Sequence, residues 1–279
     1  MSLFSRLLGR KARDGGTSPR DRRQDRVSPH FASRLDDHRR VYAIGDIHGC
    51  ADLLDQLHGM IADDLRSAPA GMRSAVIYLG DYIDRGAGSR QVIDRLLWDP
   101  LPASQAIHLC GNHDDFLLKF LEDPSVGPIW LKNGGMATLE SYGVEVPPEL
   151  DRESLRAIRD RLESRLPEAH RDFFRRLRYS HSEGGYFFAH AGVRPGLPLE
   201  AQSPYDLMWI RGEFLESTAD FGKMVIHGHT PSKGVDRQPN RIGVDTGAFW
   251  TGQLTAAVLE GADVRFLSTA APEQTAPPG

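Results

Sequence analysis

The side chains of this sequence that could do chemistry are concentrated in five short clusters. The clusters contain Asp46 and His48 in GDIHG, Asp81, Asp84 and Arg85 in GDYIDRG, Asn112 and His113 in GNHD, His190 in HAG, and His229 in HGHT. Carboxylate, imidazole and amide groups together suit Mn, Fe or Zn better than they suit metals that seek only thiolate or only oxygen. The glycines permit the tight backbone turns that a compact site needs. The clusters therefore predict a metal site.

The spacing within the clusters is compatible with two metal ions. Asp46 and His48 are two residues apart, so a single loop can offer both side chains to one cation. The carboxylate of Asp81 has two oxygens and could bridge two cations about 3.5–4 Å apart. The remaining ligands of the second ion would be Asn112, His190 and His229. We predict two divalent ions, with Mn as the first choice and Fe or Zn as alternatives.

Three further side chains fit phosphoryl transfer. Arg85 offers a planar guanidinium that can bind phosphate oxygens in a bidentate way. His113 could protonate the leaving oxygen as a general acid, and the carboxylate of Asp84 would orient His113 and raise its pKa. Two dications would acidify a water molecule and stabilise charge in an in-line displacement at phosphorus.

The clusters follow short apolar runs that alternate with helical patterns. The runs cover residues 41–45, 75–80 and 106–110, and the helical patterns cover 51–65, 89–98 and 114–122. This alternation predicts an α/β fold with a largely buried sheet. Functional groups in such folds gather in the loops beyond the carboxyl ends of the strands, which is where the clusters lie.

The rest of the chain predicts one catalytic domain at residues 39–268, between two disordered tails. Residues 134–178 are mostly helical in pattern and predict an insertion. Short strands are then expected at 186–189, 224–226, 241–244, 254–259 and 264–267. Residues 1–38 and 269–279 contain too little apolar surface, and too many charged, proline and glycine residues, to offset the entropy of ordering.

Composition excludes several classes of protein. The 279 residues have a net charge of −4 and two cysteines, so neither a globally basic nucleic-acid binder nor a disulfide framework is expected. We therefore expect a cytoplasmic location. No run approaches the roughly 18 to 20 apolar residues of a membrane-spanning helix. Residues 1–40 nevertheless carry 11 Lys and Arg against 5 Asp and Glu.

Two minor features suggest hypotheses of their own. In the basic tail, Leu3, Phe4, Leu7 and Leu8 recur at helical spacing, so this segment could contact a membrane or a partner, although a solvated tail is the simpler interpretation. Cys50 and Cys110 each flank a glycine of a cluster. Thiolates of low pKa at these positions would make the protein sensitive to oxidation, whereas plain packing is the alternative.

Taken together, the five clusters resemble the PPP family of metal-dependent serine/threonine protein phosphatases, in the calcineurin-like metallophosphoesterase superfamily. The resemblance extends over about residues 41–267, and bacterial branches of the family look closest. NGG at 133–135, followed by TL at 138–139 and SYG at 141–143, is similar to a segment of those branches. The resemblance implies an αββα fold, in which a β-sandwich is flanked by helices and metals bind at one edge.

The family pattern also implies a role for each matching residue. Asp46, His48 and Asp81 match the ligands of the first metal, and Asp81, Asn112, His190 and His229 match those of the second. Asp84 and His113 match an acid dyad, and Arg85 and Arg211 match arginines that bind phosphate. His227, the first histidine of HGHT, is expected to have a structural role instead.

The implied function is hydrolysis of phosphomonoesters, chiefly phosphoserine and phosphothreonine of a phosphoprotein or phosphopeptide. A metal-bridging hydroxide would attack directly, without a covalent intermediate. The alternative is a symmetrical dinucleoside tetraphosphatase, whose second motif resembles GDLVARG, with alanine at the position of Asp84. Asp84 and the NGG segment therefore favour the protein phosphatase. A non-catalytic phosphate-binding adaptor is a third hypothesis, and the complete set of ligands counts against it.

Overall fold

Over the residues that the computed structural model describes, 33–103 and 105–269, ten strands form two five-stranded sheets. The strands are β1 (Arg39–Ile44), β2 (Arg73–Tyr78), β3 (Gln105–His108), β4 (Ser180–Glu183), β5 (Tyr186–Ala189), β6 (Met224–His227), β7 (Asp236–Arg237), β8 (Arg241–Gly243), β9 (Thr255–Glu260) and β10 (Asp263–Ser268). The first sheet has the order β10-β9-β1-β2-β3, and the second has the order β4-β5-β6-β8-β7. β1, β2 and β3 are parallel to one another, as are β5, β6 and β8.

Helices connect the strands and cover the sheets. They are α1 (Ala51–Arg66), α2 (Ser89–Trp98), α3 (Asn112–Glu122), α4 (Gly127–Trp130), α5 (Met136–Ser141), α6 (Arg152–Arg165), α7 (Glu168–Arg175), α8 (Pro204–Trp209), α9 (Gly212–Leu215) and α10 (Ala248–Thr251). A π-helical turn at Leu131–Gly135 joins α4 to α5. Helices α5, α6 and α7 lie within the predicted insertion, between β3 and β4.

The period-two alternation of strand side chains explains how the layers stack. In β1, Val41 belongs to the same buried cluster as Phe188 of the second sheet, so this face packs between the sheets. Tyr42 faces the other way and shares a cluster with Leu54 of α1. The β1 strand is therefore buried on both faces, as its continuous apolar run predicts. Helices, two sheets and helices form four layers, and the expected αββα fold is confirmed.

The structure describes only a small part of the two predicted tails, residues 33–38 and Thr269. Residues 1–32 and 270–279, with the amphipathic segment at 3–8, lie outside the described residues. Within residues 33–38, Leu35 is buried, and its backbone N–H donates to the carbonyl of Gly261 at 2.8 Å. No helix in the described ranges has the length and apolar character needed to cross a membrane.

Candidate metal centre

The loops that carry the predicted ligands begin where the parallel strands of both sheets end. Asp46 and His48 follow β1, Asp81 follows β2, and Asn112 begins α3 just after β3. His190 follows β5 directly, and His229 lies two residues beyond β6. The first sheet thus supplies four of the predicted ligands and the second sheet supplies two. Contacts between the two sets show that they share one edge of the sandwich, because the backbone N–H of His229 donates to Asp46 at 3.1 Å.

These loops are held in backbone conformations that ordinary residues rarely adopt. Positive φ angles occur at His48 (46°), Asp81 (53°), Asp84 (73°), Arg85 (70°) and His229 (65°). A non-glycine residue in this region costs on the order of 1–3 kcal/mol, and such residues cluster at functional sites. Gly111 and Gly228 allow the carboxylates to approach, since a Cβ at either position would lie 2.1 Å from Oδ1 of Asp81 or Asp46 respectively. The backbone is therefore strained in these loops, and the strained conformations bring the side chains of the site together.

Two groups of potential ligand atoms meet at Asp81. His48, Asp81 and His113 form one group and Asp81, His190 and His229 form the other, with the ligand atoms of each group within 4.8 Å of one another. Asp81 Oδ2 lies 3.5 Å from His48 Nε2 and 3.4 Å from His190 Nε2. Oδ2 of Asp81 thus lies within reach of both groups, while Oδ1 accepts the backbone N–H of His113 at 3.0 Å.

Backbone carbonyls determine which nitrogen of two histidines faces the site. His48 Nδ1 lies 2.9 Å from the carbonyl oxygen of Ile83, and His190 Nδ1 lies 3.0 Å from that of Leu79. Because a carbonyl oxygen can only accept, each Nδ1 carries the hydrogen and each Nε2 presents its lone pair to the site. Burial is the main cause that lowers the pKa of His48 to about 3, so the ring is neutral, as a metal ligand must be.

The second group concentrates acceptor atoms that need a cation. His190 Nε2 lies 3.0 Å from Asn112 Oδ1 and 3.1 Å from His229 Nδ1. The other nitrogen of His229, Nε2, is buried and has no hydrogen-bond partner among the described residues. Burial lowers the pKa of His229 to about 2, which leaves this ring neutral as well. A divalent ion would satisfy lone pairs that otherwise face one another, so this donor set fits the predicted metal.

The predicted ligands on the first-metal side are arranged differently. Both oxygens of Asp46 accept from the backbone N–H of His229, and Asp46 belongs to neither group of converging ligand atoms in the described structure. Arg85 Nη1 lies 2.6 Å from His48 Nε2, so a guanidinium already places positive charge against this nitrogen. The structure thus brings His48 and Asp81 together and leaves Asp46 at the margin.

One carboxylate of the site, Asp245, is absent from the set that the sequence predicts. It follows β8, is 5% exposed, and faces Asp46. Burial is the main cause that raises the pKa of Asp245 to about 6, and the charge of Asp81 adds to it. Burial, with Asp245 and Asp81 nearby, also raises the pKa of Asp46 well above its usual range. The rule that locates the other clusters, a polar residue just beyond a parallel strand, would have found Asp245.

The predicted acid dyad is assembled and buried. His113 Nδ1 lies 2.8 Å from Asp84 Oδ2, and Asp84 also accepts from Trp130 Nε1 at 2.9 Å and from Thr138 Oγ1 at 2.6 Å. Burial would lower the pKa of His113, but the carboxylates of Asp81 and Asp84 outweigh it, so the net shift is upward. Arg85 Nη2, 3.1 Å from His113 Nε2, opposes that shift. With Nδ1 held by Asp84, Nε2 is the nitrogen of His113 that faces Arg85 and the predicted ligands His48 and Asp81.

Asp114 fixes the loop that carries Asp81. Its carboxylate accepts the backbone N–H groups of Asp81 at 2.8 Å, Tyr82 at 3.1 Å and Gly111 at 2.9 Å. Three such bonds tie the end of β2 to the start of α3, which carries Asn112 and His113. Asp114 therefore positions residues from two clusters at once.

Of the remaining predicted residues, Arg211 is at the surface beside the loop of His229, and His227 is buried. Arg211 is exposed, and its Nη1 donates to Thr230 Oγ1 at 3.3 Å, one residue beyond His229. His227 packs instead against Phe214, with ring centroids 5.1 Å apart, and it belongs to neither ligand group.

The cysteines do not have the properties that the oxidation hypothesis needs. Burial raises the pKa of Cys50 to about 11, and it raises the pKa of Cys110 well above the ordinary range. A thiol of high pKa is a poor nucleophile toward oxidants because little thiolate is present. The raised pKa values therefore favour the alternative of plain packing for both residues over the hypothesis of reactive thiolates.

Comparisons with known proteins agree with the chemistry of this site. The profile of the calcineurin-like phosphoesterase family matches residues 39–246. The asymmetrical bis(5′-nucleosyl)-tetraphosphatase PrpE of Anoxybacillus flavithermus is 27% identical over 231 residues, which cover 76% of this chain and 87% of that protein. The symmetrical bis(5′-nucleosyl)-tetraphosphatase of Methylobacillus flagellatus is 26% identical over 275 residues, with 80% and 93% covered. A crystal structure of a candidate diadenosine tetraphosphatase superposes with a TM-score of 0.52 at 22% identity, covering 82% of this chain and 93% of that one, and so shares the fold.

These relatives correct the expected function. The serine/threonine protein phosphatase that the motifs suggest is wrong, because the curated relatives are named tetraphosphatases. The reason is physical. Asp84 and the segment around Thr138, which seemed to distinguish the substrate, form the buried support of His113, and a general acid of this kind serves many leaving groups. The class of chemistry is shown, since the profile covers three quarters of the sequence and includes every loop that carries a predicted ligand. This chain belongs to the calcineurin-like phosphoesterase family.

Proposed function

We propose that this protein hydrolyses dinucleoside tetraphosphates by splitting one phosphoanhydride bond with water. The observation that carries the proposal is the similarity, over more than three quarters of the chain, to proteins named as asymmetrical and symmetrical tetraphosphatases. Water adds to one phosphorus atom and the bridging oxygen leaves with the other fragment. The products are two nucleoside diphosphates, or a mononucleotide and a nucleoside triphosphate, according to which bond breaks.

The donor set supports a metal-dependent version of this reaction. Asp81, His190, His229 and Asn112 would hold one ion, and His48 with Asp81 would offer ligands to the other. When bound, the ions supply Lewis-acid charge at the phosphoryl oxygens and lower the pKa of a water molecule. Mn, Fe and Zn remain the predicted choices, and a cytoplasmic location remains a prediction.

Residues of the chain itself would bind the substrate and donate the proton. Arg85 lies beside His48 and His113, where its guanidinium can bind oxygens of the phosphate chain. His113 would donate a proton from Nε2 to the departing oxygen, because Nδ1 is held by Asp84. A departing nucleotide is a better leaving group than a serine alkoxide, since a phosphate monoester has a second pKa of about 6. The protonation of the leaving oxygen is therefore less demanding here than in a protein phosphatase.

The test compares two substrates with one purified protein loaded with Mn²⁺. We expect diadenosine tetraphosphate to be turned over faster than a phosphoserine peptide, and chromatography of the products identifies the bond that breaks. ADP alone indicates symmetrical cleavage, whereas AMP with ATP indicates asymmetrical cleavage. Asp81→Asn should abolish turnover, while Asp263→Asn, at an exposed position of β10, should not. Hydrolysis of the peptide without hydrolysis of the dinucleotide would overturn the proposal.

A further inference from the structure

A cavity next to the metal centre shares Arg85 with it, and its other lining residues have no part in the chemistry described so far. Its volume is about 480 Å³, within the range of roughly 300–1,000 Å³ that small-molecule sites occupy. The residues that line it include Arg85, Lys132, Met136, Glu140, Phe249 and Trp250. We call this space the Trp250 cavity.

The aromatic side of the Trp250 cavity is unusually exposed. Trp250 is 61% exposed and its neighbour Phe249 is 45% exposed, with ring centroids 6.2 Å apart. Both rings stand on the single turn α10, whose flanking glycines, Gly247 and Gly252, have φ angles of 70° and 69°. Ala248 of the same turn is buried, so the turn is anchored on one side and presents its large rings on the other. These two adjacent rings offer a ligand an aromatic face on which a planar group can stack.

Arg85 connects the Trp250 cavity to the reacting groups. Its guanidinium carbon lies 5.0 Å from the ring centroid of Trp250, while its nitrogens lie 2.6 Å from His48 Nε2 and 3.1 Å from His113 Nε2. The backbone N–H of Arg85 donates to the carbonyl of Gly134 at 3.1 Å, which fixes the residue between the two spaces. A phosphate bound by Arg85 would therefore place the adjoining nucleoside at the cavity.

The polar residues of the cavity suit a nucleotide. Lys132 is exposed and has no ion-pair or hydrogen-bond partner for its side chain in the described ranges, so its charge is available to a phosphate chain. Glu140 is likewise exposed and unpaired there, and its carboxylate can accept hydrogen bonds from a ribose or an amino group. Arg85 and Lys132 thus bring positive charge to the cavity, and Phe249 and Trp250 bring aromatic surface to it.

From this arrangement we propose that the Trp250 cavity binds one nucleoside of the substrate, with its base stacked on the Trp250 ring. The inference rests on the proposed function, because it assigns a site to one end of a dinucleotide. Stacking does not depend on base identity, since every base has a π-face, and loss of a stacking ring weakens binding by roughly 5- to 150-fold. Trp250 is thereby a substrate-binding residue that does not take part in proton transfer.

The first experiment measures steady-state kinetics of the metal-loaded protein and three variants. For Trp250→Ala we expect the KM for diadenosine tetraphosphate to rise by roughly 5- to 150-fold, with a much smaller change in kcat, because the ring takes no part in proton transfer. Trp250→Phe keeps a ring and should retain most of the affinity. Trp98→Ala is the matched control, because Trp98 is 68% exposed at the far end of α2 and faces no part of this cavity.

The second experiment separates this inference from the proposed function. Calorimetry measures the binding of AMP and of inorganic phosphate to the same proteins, and it requires no turnover. We expect Trp250→Ala to weaken AMP binding and leave phosphate binding unchanged. Failure of the wild-type protein to hydrolyse diadenosine tetraphosphate would defeat the proposed function alone. An unchanged KM and AMP affinity in Trp250→Ala would defeat the nucleoside site, as would equal losses on AMP and phosphate, which would show that the ring merely supports Arg85.

Discussion

At the scale of single residues, the metal centre is a concentration of buried acids. Asp46, Asp81 and Asp245 are 2%, 2% and 5% exposed. Burial alone would raise the pKa of Asp81, but the surrounding imidazoles, His190 first among them, hold it below its ordinary range. Buried charges in proteins are normally paired or bound to metals. The other two carboxylates, Asp46 and Asp245, have raised pKa values. A bound dication would stabilise their ionised forms and so lower both pKa values.

Asp245 offers the sharpest test of this electrostatic balance. In Asp245→Asn the amide oxygen can still accept from the N–H of Gly247, which lies 2.9 Å from the carboxylate, but the charge is gone. With a chelator present we expect a higher Tm than wild type, because one of three mutually repelling acids has been removed. We expect Mn²⁺ to raise the Tm of Asp245→Asn by less than it raises the Tm of the wild-type protein. Loss of a residue that supports metal ligands typically weakens metal binding about 10- to 100-fold.

Thermal unfolding with and without Mn²⁺ measures both effects on the same samples. Asp263→Asn, which removes an exposed acid outside the site, should change neither Tm. If Asp245→Asn instead lowers the Tm equally in chelator and in Mn²⁺, Asp245 has a purely structural role.

At the scale of elements, the turn between α4 and α5 fixes the position of Arg85. The π-helical turn Leu131–Gly135 is interrupted at Gly134, where φ is 111°. A Cβ there would lie 2.8 Å from Arg85 Cγ and 2.9 Å from the backbone nitrogen of Arg85. The carbonyl of Gly134 also accepts the N–H of Arg85. This segment of the helical region therefore packs directly against the arginine that joins the metals to the Trp250 cavity.

Gly134→Ala should therefore lower kcat/KM by more than its loss of stability explains. We expect kcat/KM to fall for all phosphate substrates, because Arg85 must shift. Backbone strain should also lower the free energy of unfolding by about 1–3 kcal/mol. Gly71→Ala is a matched control, since Gly71 has a φ of 83° but a Cβ there would meet no atom within 4 Å. That variant should carry backbone strain without loss of kcat/KM. Equal kcat/KM in the two variants would contradict the role given to Gly134.

The elements themselves were largely predictable, for identifiable reasons. Strands β1 and β2 and helices α1 and α2 have strong local periodicity, and their observed bounds differ from the expected ones by no more than two residues at either end. The ligand clusters were found because they follow such strands. The supports of Asp84 were not, because Trp130 and Thr138 are 46 and 54 residues away in sequence. The positive φ of His48 and Asp81 was also unforeseen, since tertiary contacts impose it against local preference.

At the scale of the whole molecule, the site lies where the two sheets meet. The first sheet positions His48, Asp81 and Asn112, while the second positions His190 and His229. Neither sheet alone can form the second group of ligands, because Asp81 comes from one and the two histidines from the other. Metal binding should therefore stabilise the packed arrangement of both sheets, since a ligand stabilises the state that binds it.

The stability of the whole fold should also depend on pH through His108, a residue outside the metal centre. His108 is on β3, its ring stacks on Tyr78 at 4.9 Å, and it contacts Phe173 of α7 at 5.1 Å. Burial lowers the pKa of His108 from 6.5 to about 4, and Nε2 is buried without a partner among the described residues. The unfolded chain therefore binds a proton between these pH values that the folded chain does not.

The sign of the effect follows from that difference in proton binding. The contribution of His108 is complete above pH 6.5 and is lost as the pH falls toward 4, so the free energy of unfolding should drop by about 2–3 kcal/mol between pH 8 and pH 4.5. His108→Phe keeps an aromatic ring against Tyr78 and cannot be protonated, so it should lack this part of the loss. Urea unfolding of both proteins at the two pH values measures it, because the difference between their losses cancels every other titrating group. Equal losses in the two proteins would show that His108 is not the residue that couples protonation to unfolding.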